Sequence, residues 1–172
     1  MKHPIAFLLL MSAAGAWAHP GHGAGFGAGL LHPLLGLDHW LAMLGLGLWS
    51  RAAGVPRQAL ATVGACLAIG AFARFALPLV EPLLAASVLA TGLMGLGAAR
   101  LPARLGLVLA GAFSLVHGHA HGQEMAGAAA IGAICMSLGM MGLGWLTAGR
   151  ARLARVVPAL VTVLGVGLLA LA

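Results

Sequence analysis

The sequence predicts an all-α fold, a polytopic membrane bundle of six transmembrane helices behind a cleaved signal peptide. Three observations carry this. Hydrophobic residues make up 62% of the 172 positions and charged residues only 7%, with a mean hydropathy of +1.05. Globular domains carry roughly 25% charged residues, because a water-facing surface needs them. Apolar stretches long enough to span a bilayer follow one another from residue 28 onward, and arginines gather in alternate connections between them. A disordered chain is excluded as well, since such chains are polar.

The N-terminus has the layout of a targeting segment. Met1-Lys2-His3-Pro4 is a short basic start, Ile5 to Ala14 is apolar, and Ala16-Trp17-Ala18 supplies the small residues that a signal peptidase reads. Residues 1–18 are therefore expected to be removed, leaving a mature chain of 19–172 that begins His19-Pro20-Gly21-His22. An uncleaved first membrane helix is the competing reading.

The six spans are expected at about 28–49, 58–76, 82–99, 102–119, 124–147 and 152–171. Pro82 and Pro102 fall at first-turn positions, where a missing N–H costs nothing. Small-xxx-small spacing, as in Gly92/Gly95/Gly97 and Gly139/Gly142/Gly144, suits close helix approach in lipid and offers faces for a homo-oligomer. With the N-terminus outside, the inner connections hold Arg51, Arg57, Arg100, Arg104, Arg150, Arg152 and Arg155, while Arg74 is outside. That asymmetry is what the positive-inside rule requires, and it agrees with the signal peptide. The formal net charge of +6 is read as topology-setting charge and not as a nucleic-acid surface, because the arginines stand singly without interleaved aromatics. Cys66 and Cys135 lie within apolar runs and read as small buried thiols, not as a disulfide framework.

On this topology the histidines collect at the outer side. His32, Asp38 and His39 lie in the first span, His117, His119 and His121 end the fourth, and Glu124 opens the fifth. Ionisable groups at membrane depth are expensive and are functional suspects. Imidazole and carboxylate together suit divalent Ni, Co, Zn or Cu. The expected first coordination set is Asp38, His39, His117 and His121, with His32 as first contact or fifth ligand. On an ideal helix His32 and His39 stand about 10.5 Å apart, too far for one ion, and Pro33 and Gly36 between them are placed to bend the chain. His117 and His121 share a helical face, while His119 points elsewhere unless Gly118 and Gly122 make the path irregular.

Plainer roles compete. His19 and His22 are either a metal-capture site or solvated loop residues, and Pro20 blocks backbone-amide chelation there. His119 reads as a helix-end group facing headgroups. Glu124 reads equally as a ligand or as a carboxylate favoured by a helix N-terminus. Glu81 is a helix-start acid, Arg74 snorkels to headgroups, and Met136, Met140 and Met141 read as packing.

The run His32-Pro33-Leu34-Leu35-Gly36-Leu37-Asp38-His39 resembles the H-P-x-x-G-x-D-H signature of the HupE/UreJ family. His117-Gly118-His119-Ala120-His121-Gly122-Gln123-Glu124 is similar to that family's H-G-x-A-H-G-x-E element. The resemblance extends over essentially the whole chain. It implies an inner-membrane nickel permease, with cobalt as cargo in some members, serving hydrogenase or urease maturation. It implies metal-site roles for His32, Asp38, His39, His117, His121 and Glu124, and tolerance of other residues at position 119. Transport is expected to be secondary, since the sequence has no nucleotide-binding loop; no enzymatic activity and no organic cofactor are expected. The alternatives are a b-type membrane cytochrome with haem between paired histidines, or a non-transporting metal sensor or chaperone.

Overall fold

The computed structural model describes residues 25–73 and 75–172. The expected signal peptide, His19, His22 and Arg74 lie outside the described residues. Among those described, the chain forms seven α-helices and no strand: α1 (Phe26–Leu35), α2 (Leu37–Ala52), α3 (Pro56–Phe72), α4 (Val80–Leu96), α5 (Ala103–Glu124), α6 (Gly127–Thr147) and α7 (Ala151–Leu169). Each apolar segment read from the sequence is helical. The first is two helices, broken at Gly36, whose backbone is extended (φ −92°, ψ 111°). α6 and α7, with 21 and 19 residues, are long and apolar enough to cross a membrane.

Two boundaries differ from expectation in ways that matter. α5 does not stop at residue 119 but continues through the whole histidine run to Glu124, and α6 starts only at Gly127. Glu124 therefore ends one helix instead of opening the next. A carboxylate at a helix C-terminus gains nothing from the macrodipole, so the capping role proposed for it falls away. Glu81 does stand in the first turn of α4.

The irregular path considered for Gly118 and Gly122 is not taken, and packing gives the reason. α3 lies against α5. A Cβ on Gly118 would collide with the backbone of Leu67, and one on Gly122 with that of Ala71. Glycine is thus needed at both positions for the two helices to cross at backbone contact, as in small-residue crossings in lipid. α4 pairs with α7, α6 receives both α1 and α2, and α2 also meets α4. Gly92 and Gly95 are taken up within the chain by Thr162 and Pro158, and Gly144 by Leu44, whereas Gly139 and Gly142 meet nothing within 4 Å.

The core centres on α2, where Met43, Leu46 and Trp49 are fully buried against Val63, Leu67, Val88 and Val161 from α3, α4 and α7. The outside is apolar too: Leu60, Ile69, Val108, Val163 and Leu171 are all exposed. Met140 and Met141 are buried in the core, as their reading as packing residues expected. Cys66 and Cys135 are free, but Cys66 is only partly buried and Cys135 is exposed, which corrects their reading as buried thiols.

Candidate metal centre

The break at Gly36 builds the first half of the site. Pro33 has no N–H to continue the helix, and the indole of Trp40 donates from Nε1 to the carbonyl of Leu34 at 3.2 Å across the break. Across the break the His32 and His39 rings stand 6.3 Å apart between centroids. A Cβ on Gly36 would sit 2.9 Å from His39 Nδ1 and 3.0 Å from Asp38 Oδ1, so a side chain here would have to displace that pair.

The second half comes from the regularity of α5. His117 and His121, one turn apart, project to the same face and are fully buried. The His39 ring lies 4.8 Å from that of His117 and 4.6 Å from that of His121, and His32 lies 5.6 Å from His121. Asp38, His39 and His117 each offer a donor atom within 4.8 Å of the others.

Hydrogen bonding shows which nitrogens are available. Asp38 Oδ1 is 3.0 Å from His39 Nδ1. A carboxylate accepts, so His39 donates from Nδ1, and its Nε2 carries a bare lone pair. That Nε2 is buried without a partner, as are Nδ1 of His117 and Nδ1 of His121. Buried polar atoms are normally paired, so three orphaned imidazole nitrogens on two helices, with the His117 and His121 rings 4.8 and 4.6 Å from that of His39, form a candidate donor set. The Asp38–His39 contact has the form of the carboxylate–imidazole pairs that orient metal ligands.

Glu124 closes the outer edge, with Oε2 2.7 Å from His32 Nε2. Both of these side chains are partly exposed, unlike the three beneath them. The structure thus brings together His32, Asp38, His39, His117, His121 and Glu124. His119 stands apart: its ring stacks on Phe75 at 4.8 Å between centroids and is buried, not turned to headgroups. The reason is again α3, which covers that face of α5, with Gly70 lying against the His119 backbone.

Two residues of this region escaped sequence reading. Ser87 on α4 has its Oγ 2.8 Å from His117 Nε2, and Ser137 on α6 has its Oγ 3.5 Å from His121 Nε2. The only signal was a hydroxyl inside an apolar helix, which is too common to single out.

Fold and site together define an all-helical protein with a buried imidazole–carboxylate cluster whose donor atoms could hold a metal ion. More narrowly, the chain belongs to the HupE/UreJ family: the family model described as HupE / UreJ protein matches residues 6–172. It is 36% identical over 127 residues to Protein HupE of Rhizobium leguminosarum bv. viciae, covering 70% of this chain and 65% of that protein. The chain thus spans just under two thirds of the length of this curated relative. No solved structure matches it.

Proposed function

We propose that this protein is a secondary transporter that carries divalent nickel, with cobalt as a second cargo, across the inner membrane to supply hydrogenase or urease maturation. The observation that carries the reading is the grouping of Asp38, His39 and His117 donor atoms within 4.8 Å of one another, with the His121 ring 4.6 Å from that of His39 and buried nitrogens of all three histidines unpartnered. Neutral imidazole is a strong ligand for Ni and Co, and one carboxylate offsets part of the ion's charge. Family membership supports the choice of nickel and cobalt.

Six membrane spans are proposed, with α1 and α2 together making the first. The apolar exterior, the length of α6 and α7 and the arginine distribution support this. The histidines then lie at the outer end and Arg51, stacked 4.6 Å over the Trp145 ring, at the inner end. An ion is met by His32 and Glu124, gives up water to the buried nitrogens, and moves inward past Ser114, whose buried hydroxyl lacks a partner one turn below His117.

A haem site is disfavoured. Imidazoles packed 4.6 and 4.8 Å apart between ring centroids leave no slot for a macrocycle between axial ligands. A non-transporting sensor or chaperone has one observation in its favour: among the described residues only this one group could hold a metal, and none lies at the arginine end. Accumulation of labelled nickel, competed by cobalt and zinc, decides between the two in cells making the native chain, Asp38→Asn or His39→Ala at equal expression. Transport requires accumulation to collapse in the variants; unchanged accumulation overturns it.

A further inference from the structure

We propose that Ser87 is a positioning residue that selects the Nε2–H tautomer of His117 and so presents Nδ1 to the metal. The inference rests on the metal-centre reading above and deepens it. A neutral imidazole has one N–H and one bare nitrogen, and only the bare one binds a metal. Which nitrogen is bare depends on the partner of the other.

Ser87 is fully buried on α4, and its Oγ has two neighbours. It lies 2.6 Å from the carbonyl oxygen of Leu84 and 2.8 Å from Nε2 of His117. A carbonyl oxygen accepts only, so the single hydroxyl hydrogen of Ser87 goes to Leu84. What Ser87 then turns toward His117 is lone-pair density, and at 2.8 Å this contact is favourable only when Nε2 carries the hydrogen. Nδ1 is left bare, and it is the nitrogen that is buried without a partner. The opposite tautomer would set two lone pairs against each other and bury an unpaired N–H at Nδ1, a double cost in a low-dielectric interior.

Ser87 does for His117, from a third helix, what Asp38 does for His39. The centre is therefore assembled by α2, α4 and α5, with the hydroxyl on α4 contributing no ligand of its own. Ser137 stands in the corresponding position behind His121 but at 3.5 Å, a much weaker hold.

The test uses the full chain in lipid nanodiscs with ¹⁵N-labelled histidine. Without metal, the ring ¹⁵N shifts of His117, assigned by comparison with His117→Gln, should show a protonated Nε2 and a bare Nδ1. Nickel(II) should then perturb Nδ1. Ser87→Ala should weaken nickel(II) binding by about 10- to 100-fold, the usual range for loss of a partner behind a metal ligand. It should also remove the Nε2–H preference, and Ser87→Thr should restore both. A bare Nε2 in the native chain overturns the proposal, as does a Ser87→Ala protein with native ring shifts and native affinity. If Ser87→Ala does not fold, the native ring shifts decide alone. Failure of the native chain to bind nickel(II) overturns the metal-centre reading instead, and the metal-free shifts still decide the tautomer.

Discussion

Glu124, the last residue of α5, reaches His32 near the end of α1, with Oε2 2.7 Å from Nε2, and the pair spans the outer edge of the buried histidine cluster. With both side chains partly exposed, the contact adds little to stability, about 0–1 kcal/mol. Its contribution should instead be to ion arrival. Glu124→Gln is expected to leave the melting temperature in detergent within error of native while initial nickel uptake falls several-fold; equal loss of stability and uptake would point to a structural role.

Asp38 holds Nδ1 of His39 at 3.0 Å. Asn at position 38 keeps an acceptor oxygen but loses the charge, so Asp38→Asn should weaken nickel binding by about 10- to 100-fold. His39→Ala removes a donor outright and should bind more weakly still. Equilibrium titration of the purified proteins with nickel(II) measures both.

Protons and metal compete for the same nitrogens. The donor set needs His39 Nε2, His117 Nδ1 and His121 Nδ1 bare, so each proton taken up on these rings opposes binding. Apparent nickel affinity should fall steadily as pH is lowered and should recover on return to neutral pH. Titrations across that range check the sign, and an affinity that rises on acidification would overturn the imidazole donor set.

The α3–α5 crossing leaves no space at Gly118. Gly118→Ala must push the Leu67 backbone away and should destabilise the protein by about 1–3 kcal/mol, with the histidine face rotated or displaced. Gly139→Ala, at a position with nothing within 4 Å, is the matched control and should be silent. Thermal unfolding in detergent compares the two.

The proposed orientation puts Gly149 beside the inner arginines and Ala126 beside the outer histidines. After replacement of Cys66 and Cys135, a cysteine at 126 should react with an impermeant thiol reagent in intact cells, and one at 149 only after lysis. The reverse pattern would invert the transport direction inferred from the arginines.

Much of this protein is legible before folding is considered, because apolar helix-forming runs are local properties. The six helical segments follow from them. Pro33 and Gly36 marked the break that lets His32 approach His39, and the i, i+4 spacing placed His117 and His121 on one face. Glu124 was ambiguous for a definite reason: its meaning depends on whether a helix ends or begins there, and Gly118 and Gly122 left the course of that stretch open. Packing against Leu67 and Ala71 resolves it in favour of one continuous helix. His119 was misjudged because nothing in its own segment says that Phe75 covers it.

The sequence alone determined an all-helical, apolar chain, and led to the expectation of its histidine motifs at one end and all arginines but Arg74 at the other, since composition and periodicity depend only on neighbours along the chain. Tertiary structure decided which groups meet: the unpartnered nitrogens of His39, His117 and His121, the His32–Glu124 contact and the hydroxyl of Ser87 behind His117. Those distances come from how α1, α2, α4 and α5 are packed, and close approaches such as that of Gly118 to Leu67 lie between residues far apart in sequence.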